Sequence, residues 1–549
     1  MSAPETMTGG EAIVAALVDH GIDTVYGVPG VQTYPLFDAL YGAKDKIRTV
    51  VTRHEQAAAY MAFGHAQSTG RPSAYSVVPG PGVLNTGAAL VTAYATNQPV
   101  LCLTGQVPST VLGSGRGHLH EIPDQLSTLR SITKWAAHIE RTADAPAAVD
   151  GAFRAMLSGR PGPAALEMCW DTMGETEEVR FLPPSGADRP PQADTIALDE
   201  AAALLNGARA PMILVGGGAR HAGAEVLALA EALGAPVGAF RAGRGVIEET
   251  HALAVSALAA QELWRETDVL LGIGSRLELP YMRWRGFMSA ITDVRPPPEL
   301  IRIDIDPAEL ARLVPQVGIL ADAAAATAAL VERVRPAGVG RRAETAAAKD
   351  RAAIRLQELQ PQMSYLDVIR EVMPRDGFFV EELCQVGYAS YYGLPMAGPR
   401  QYITAGYQGT LGFGYPTSLG VKAANPDRAV ISVAGDGGFM FGVQELATAA
   451  QHGLGVVALV FNNSAYGNIR RDQRTRFQGR IIASELENPD FVALAESFGV
   501  HGERVDSPET LRPALEAAIA RNAPALIEIT IEPDSEANPW QLFAMQKRK

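Results

Sequence analysis

The sequence predicts an α/β protein made of three doubly wound domains with mainly parallel sheets. Three observations carry this reading. At 549 residues the chain is too long for one hydrophobic core, and about three domains are expected. Short apolar runs alternate throughout with amphipathic or Ala-rich helical stretches, the pattern of βαβ units. Two stretches break that alternation: FLPPSGADRPPQADT at 181–195 reads as a Pro-rich linker, and RPAGVGRRAETAAAKDRAAIRLQELQPQ at 335–362 begins as a loop and becomes a charged helix.

The breaks place domains at 1–182, 193–335 and 360–535, with a tail at 536–549. Hydrophobic residues make up 47% and charged residues 19%, a globular rather than a disordered balance. The net charge of −13 disfavours nucleic acid, because a phosphate-binding face needs clustered Lys and Arg; a locally basic pocket for an anionic ligand stays open. The N-terminus lacks the basic start and apolar core of a signal peptide, and no apolar run is long enough to span a bilayer, so no membrane partner is expected. Cys102, Cys169 and Cys384 are scattered without CxxC spacing. Neither a disulfide framework nor a zinc site is expected, and a reducing cytoplasm fits.

In the first block, RHEQAAAYMAFGHAQSTGRPS puts Glu55 at a strand-to-helix junction. It reads as a first-turn acid favoured by the helix macrodipole, or as a functional carboxylate. VYGVPGVQTYPLFDAL carries Gly30, Val31 and Gln32. GHLHEIPDQ carries His120, which is either a surface loop histidine or a proton shuttle. In the second block, APMILVGGGARHAGAEVLALAEALGAPVGAF reads as strand, Gly-rich turn, helix and strand, without a full GxGxxG fingerprint at Gly216, Gly217 and Gly218.

In the third block, AVISVA at 429–434 is a buried-strand pattern that ends in Gly435, Asp436 and Gly437. FGVQELATAAQHG is helical, and GVVALVF at 455–461 is the next strand, ending at Asn462 and Asn463. In a right-handed crossover the carboxyl ends of both strands share one edge of the sheet, where ligands bind. Asp436 offers a carboxylate oxygen and Asn463 a carbonyl oxygen, hard ligands suited to Mg²⁺ or Ca²⁺, with phosphate oxygens and water completing the octahedron of Mg²⁺. The neighbouring glycines allow close backbone approach to phosphate. Either residue alone reads more readily as a helix cap or turn. Together, at this topology, they point to a metal–diphosphate site. The tail PDSEANPWQLFAMQKRK is either a docked arm or a frayed end.

The stretch from GDG to NN resembles the thiamine-diphosphate motif. The surrounding GTLGFGYPTSLGVKAANPDRAVISVAGDGGFMFGVQELATA is similar to the acetolactate synthase, pyruvate oxidase and benzoylformate decarboxylase branch, and the resemblance runs from about residue 8 to 532. It implies the thiamine-diphosphate-binding fold: an N-terminal pyrimidine-binding domain, a Rossmann-like middle domain and a diphosphate- and Mg²⁺-binding domain. It implies metal ligation by Asp436, Asn463 and the carbonyl of Ala465, and diphosphate contacts from Gly437, Gly438 and the amides near Ser464. Gln385 matches a diphosphate-side Gln of acetolactate synthases, although the His often beside it is Val386 here. Glu55 matches the glutamate that hydrogen-bonds N1′ of the aminopyrimidine. Leu411 occupies the wedge position that bends the cofactor, a proximity effect, and the Gly409 carbonyl would hold the 4′-amino group. Gly30 also falls on the cofactor side.

On the substrate side, Gly30, Val31 and Gln32 line the family's substrate mouth. Some aromatic 2-oxo acid decarboxylases have Ser where Val31 stands and His where Val78 stands, so both departures weaken the benzoylformate decarboxylase reading. His120 falls where acetolactate synthases carry a Gln. Asp472 stands in place of a pocket-narrowing Trp and Asn468 in place of a Met, which makes the expected pocket more polar. Arg276 and Asp306 match residues near the FAD or ADP of relatives, so the central domain admits either nucleotide. The intact Glu55 argues against glyoxylate carboligase.

The resemblance therefore implies a carboligase or decarboxylase that uses thiamine diphosphate and Mg²⁺ on a 2-oxo acid. An aldehyde or acyl-CoA would be a second partner, and active sites would lie between the subunits of a homodimer or homotetramer. Acetolactate-synthase-like carboligation leads; a benzoylformate-type decarboxylase or a 2-hydroxyacyl-CoA lyase is the alternative. A catalytically silent subunit would be marked by loss of Glu55, Asp436 or Asn463, and all three are present. A nicotinamide- or flavin-dependent oxidoreductase would need a dinucleotide fingerprint that the middle domain does not complete.

Overall fold

The computed structural model describes residues 4–285, 299–336, 338 and 340–542. The edges of the expected first domain (1–3) and tail (543–549), and residues 286–298 of the second domain, lie outside the described residues.

The first domain contributes β1 (Glu5–Thr8), β2 (Thr24–Gly27), β3 (Arg48–Val51), β4 (Ser73–Val77), β5 (Val100–Gln106), β6 (Trp135–Ile139), β7 (Ala164–Cys169) and β8 (Thr176–Val179). β1 and β8 form a small antiparallel ribbon. The other six form a parallel sheet in the order β3-β2-β4-β5-β7-β6. The central domain contributes β9 (Pro211–Val215), β10 (Val237–Ala239), β11 (Ala254–Val255), β12 (Val269–Ile273), β13 (Glu299–Asp304) and β14 (Val317–Leu320). Its order, β11-β10-β9-β12-β13-β14, is that of a doubly wound dinucleotide fold. The third domain contributes β15 (Phe378–Val380), β16 (Tyr402–Ile403), β17 (Val430–Gly435), β18 (Val456–Asn462), β19 (His501–Val505) and β20 (Ala525–Thr530), in the order β16-β15-β17-β18-β20-β19. The first and third sheets thus share one strand permutation, and the expected α/β class of three parallel, doubly wound domains is present.

The strands read as continuous apolar runs because helices cover both faces of each sheet. Val430 to Ala434 and Val456 to Phe461 are all buried. The same demand makes the helix Glu55–Thr69 bury every residue from Ala57 to Ser68. It packs on the helix Gly414–Ala424, where two glycines permit backbone contact between domains. A Cβ at Gly64 would lie 2.2 Å from the Thr417 carbonyl oxygen, and one at Gly420 would lie 2.0 Å from that of Met61.

The charged stretch after the central domain forms the helix Arg342–Leu356. It packs on the helix Ala257–Leu263 and buries Ala348 and Ala352. The tail, open from sequence, is a docked arm as far as Leu542: Gln362 Nε2 donates to the Ala537 carbonyl at 2.6 Å, and the Trp540 ring lies 4.6 Å from that of Tyr388. Among the described residues no helix is long and apolar enough to cross a membrane.

Because the Gly420 crossing is backbone on backbone, Gly420→Ala forces the two helices apart. We expect a loss of about 1–3 kcal/mol in urea denaturation, the usual cost of overpacking. Gly42→Ala, with nothing within 4 Å of its added Cβ, is the control that should be near neutral.

Candidate functional site

β17 and β18 are adjacent and parallel, with Gly435 opposite Phe461, so Asp436 and Asn463 leave the sheet side by side at its carboxyl edge. Asp436 opens a short helix, Asp436–Phe439, and is 1% exposed. Its carboxylate accepts from Asn488 Nδ2 at 2.7 Å and from the N–H groups of Gly437 and Ala465. Burial raises its pKa and those donors oppose the rise. Asn462 has a supporting part. Its Oδ1 accepts from Asn488 at 3.0 Å and from the Ser464 N–H at 3.1 Å, while its Nδ2 donates to Glu528 at 2.7 Å. Ser464 sits in the left-handed region at φ 52°, which turns the chain so that Ala465 bridges to Glu485. Asn463 projects past the strand end, and its Nδ2 donates to Glu536 Oε2 at 3.0 Å.

Asp436, Gly437, Gly438, Asn463 and Ala465 line a cavity of about 170 Å³ together with Gln385, Leu411 and Asn468. Its walls fit a metal-bound diphosphate. A Cβ at Gly437 would lie 2.5 Å from the Tyr466 ring, and one at Gly438 would lie 2.3 Å from Glu382 Oε1, so a side chain at either position would displace its neighbour. Gln385 is 6% exposed and its Oε1 has no hydrogen-bond partner among the described residues, an open polar edge in the cavity. The oxygen-rich donor set suits Mg²⁺ completed by phosphate oxygens.

Leu411 lies on the cavity wall in a loop whose glycines Gly409 (φ 54°) and Gly412 (φ 78°) adopt left-handed backbone. Glu382, at the carboxyl end of β15, holds this loop. Its Oε1 accepts from the Gly412 N–H at 2.7 Å and its Oε2 from the Gly414 N–H at 3.0 Å. Burial pushes its pKa up to about 7 against those two donors, and neighbouring Glu381 adds to the rise.

The first-domain candidates gather at the carboxyl edge of their own sheet. Glu55 begins its helix and accepts from Asn85 Nδ2 at 3.0 Å. Gly30 packs against Val78: a Cβ there would lie 2.3 Å from Val78 Cγ1. Gln32 donates to the Leu119 carbonyl at 2.9 Å, and its Oε1 lies 3.0 Å from His120 Nδ1. His120 is half-buried at φ 68°, and its carbonyl lies where a Cβ at Gly80 would meet it, at 2.4 Å. Val31 is exposed in the same turn as Gly30 and Gln32. Gly30, Gln32, Val78 and His120 are therefore brought together.

The residues lining the Asp436 cavity belong to the third domain, with Glu536 added from the tail. Glu55 thus stands at the edge of the first sheet and Asp436 at the edge of the third. Asn468 lines the cavity and accepts from Arg471, but Asp472, one turn further, does not. It pairs instead with Arg476 at 3.6 Å and Arg471 at 3.9 Å.

Where the central domain meets the first, a cavity of about 530 Å³ is lined by Gly217, Gly218 and Gly274 on one side and by Asn97, Gln98 and Arg160 on the other. Arg220 reaches it with a buried Nη2 that has no partner among the described residues; burial and nearby Arg400 lower its pKa to about 9. Arg276 lines the cavity and stacks 4.7 Å over the Tyr407 ring. Asp306 instead caps its helix and pairs with Arg160 at 3.5 Å.

Sequence reasoning missed Asn488, Glu382 and Glu536. The two consecutive acids in FFVEEL, at the end of a buried strand, are a readable signal for Glu382. Asn488 and Glu536 lie in a loop and in the tail, where local pattern says nothing.

Three descriptions of one family match the chain: "Thiamine pyrophosphate enzyme, N-terminal TPP binding domain" over residues 7–128, the central domain over 198–330, and the "C-terminal TPP binding domain" over 384–529. The chain is similar to a "Probable acetolactate synthase large subunit" of Methanocaldococcus jannaschii, with 34% identity covering 97% of this chain and 93% of that one. It is 33% identical to a "Probable 2-ketoarginine decarboxylase" of Pseudomonas aeruginosa, covering 96% and 95%. An "Acetolactate synthase large subunit" of Parasynechococcus marenigrum is 31% identical over 98% and 90%.

The raised pKa of Glu382 means that the folded protein holds this proton more tightly than the unfolded chain, whose value is about 4.5. Its contribution to stability is complete below about pH 4.5 and is lost as pH rises through about 7, a loss of about 3 kcal/mol. Glu382→Gln should remove that component, so its unfolding free energy across the window should fall by about 3 kcal/mol less than wild type. Urea denaturation at a series of pH values checks this, and parallel curves would reject it.

Proposed function

The chain belongs to the thiamine pyrophosphate enzyme family and is an enzyme of the acetolactate-synthase type, forming or cleaving C–C bonds; from that premise we propose that it is a carboligase acting on a 2-oxo acid. The observation that carries the site assignment is the convergence of Asp436, Asn463 and Ala465 beside two close-packed glycines at neighbouring strand ends.

When bound, thiamine diphosphate supplies an electron sink for the pair released as the 2-oxo acid loses CO₂. The Asp436 carboxylate, the Asn463 Oδ1 and the Ala465 carbonyl hold Mg²⁺. Gly437, Gly438, Ser464 and Gln385 hold the diphosphate. Leu411 fills the wedge position, held there by the hydrogen bonds of Glu382 to its loop. Glu55 would keep a proton at N1′ of the pyrimidine, and Gly30 and the Gly409 carbonyl would help to hold that ring. His120, oriented by Gln32, moves a proton at the substrate oxygen.

Two exposed apolar rims support a site between subunits. Leu84 (54% exposed) and Leu119 (54%) flank the Glu55 edge, while Phe441 (51%) and Ile469 (53%) flank the Asp436 edge. Joining the edges of two copies covers these rims and closes the two half-sites, giving at least a homodimer. The three free cysteines suit a reducing compartment, in keeping with the cytoplasm.

In the cavity where the central domain meets the first, the Arg220 guanidinium, whose Nε donates to the Ala242 carbonyl and whose Nη2 has no partner among the described residues, and the glycine turns fit a nucleotide phosphate. ADP and FAD are the candidates, and a flavin absorbance spectrum separates them. A second reading, simple decarboxylation, is favoured by the polar Asn468 on the cavity wall and by the similarity to a probable 2-ketoarginine decarboxylase. A 2-hydroxyacyl-CoA lyase is a further alternative.

A panel of 2-oxo acids, aldehydes and acyl-CoA compounds with product identification tests the proposal. Acetohydroxy acids are expected; aldehydes alone would favour decarboxylation. Glu55→Gln should slow C2–H exchange of bound cofactor by about 100-fold or more with folding intact. His120→Ala should cost about 100-fold in turnover. Neither Glu55→Gln nor Asp436→Ala should be active alone, but mixing and reassembling the two should restore about a quarter of the sites. No recovery would argue against a shared site.

A further inference from the structure

We propose that Glu536, on the C-terminal arm, is a positioning residue of the metal clamp: it holds the Asn463 amide so that Oδ1, rather than Nδ2, faces the metal. This rests on the metal–diphosphate reading above and extends it to a residue beyond the last strand.

A side-chain amide has two nearly equivalent ends, one accepting and one donating. Only the oxygen can ligate Mg²⁺, so an unrestrained Asn would offer the wrong atom in its flipped state. Here the two ends are distinguished. Nδ2 donates to Glu536 Oε2 at 3.0 Å, and a carboxylate accepts hydrogen bonds but cannot donate them. Flipping the amide would set Oδ1 against that carboxylate, two acceptors face to face. Gly467 keeps the nitrogen side clear, since a Cβ there would lie 2.8 Å from Nδ2.

Glu536 is held in place from both directions along the chain. Before it, Asp534 pairs with Arg474 at 2.6 Å and with Arg470, on the helix Gly467–Arg476. After it, the Ala537 N–H donates to the Gln360 carbonyl at 3.1 Å, and the Ala537 carbonyl accepts from Gln362. The carboxylate lines the same cavity as Asp436, Gly437 and Gly438. The arm thus brings a group 73 residues away in sequence onto the amide. Outer-shell partners of this kind are worth about 10- to 100-fold in metal affinity.

The test measures Mg²⁺ affinity in the presence of thiamine diphosphate, the spectrum of bound Mn²⁺ used in place of Mg²⁺, and the melting temperature of the cofactor-free protein. Glu536→Ala should weaken Mg²⁺ about 10- to 100-fold and alter the Mn²⁺ spectrum, with the cofactor-free melting temperature unchanged. Glu536→Gln, whose amide can accept from Nδ2 but can also donate to Oδ1, should fall between Glu536→Ala and wild type. In an Asn463→Ala background, adding Glu536→Ala should cost nothing further. The inference is overturned if Glu536→Ala binds Mg²⁺ as well as or better than wild type. It is also overturned if Glu536→Gln falls as far as Glu536→Ala, which would assign the effect to charge, or if the double variant loses more than Asn463→Ala. Failure of the wild type itself to bind Mg²⁺ with thiamine diphosphate would overturn the metal reading, and this inference with it.

Discussion

A parallel sheet covered on both faces can present chemistry only where its strands end. That constraint organises this protein. Val430 to Ala434 and Val456 to Phe461 have no exposed face on which to carry a functional group, so Asp436 and Asn463 occur one step past those strands. The first sheet obeys the same rule: Gly30, Glu55, Val78 and His120 all follow the carboxyl ends of its strands. Because the first and third sheets share one strand permutation, each offers an equivalent edge, with Glu55 at one and Asp436 at the other.

The third-domain edge concentrates acid in little space. Asp436, Glu381 and Glu382 are buried and Glu536 is half-buried, with every one of the four pKa values raised mainly by loss of water. Hydrogen-bond donors offset part of that cost. Gly412 and Gly414 serve Glu382, Thr404 and Tyr391 serve Glu381, and Asn488 serves Asp436. Asp436 and Glu536 still repel each other across the cavity, the arrangement in which a divalent cation is most strongly favoured. The same groups therefore shape the wedge loop, hold the clamp and set up its charge.

Family membership constrains the cofactor far more than the substrate. The departures from the acetolactate-synthase pattern, Asn468 and Asp472, lie on the helix Gly467–Arg476. That helix is also the one the C-terminal arm grips through Asp534, Arg470 and Arg474. Asn468 on the cavity wall and the arm are thus joined through one helix.

Much of this was legible in the chain. Alternating apolar and helical stretches specify parallel α/β domains, and a crossover between two buried strands specifies that Asp436 and Asn463 meet. His120 could not be separated from a surface histidine by spacing, because its contact with Gln32 joins two loops 88 residues apart. The tail was undecided for a similar reason, since its anchors on Gln360, Gln362 and Tyr388 lie far upstream. Asp472 shares a helix face with Asn468, yet two arginines hold it outside the cavity. By itself the sequence determined the layering, the strand ends that carry the site, and the residues placed there, because local periodicity and chain topology suffice for these. Only the tertiary structure decided which side chains orient them. Asn488, Glu382 and Glu536 act through hydrogen bonds between distant segments, and such contacts exist only once the folded backbone has brought their donors and acceptors within about 3 Å.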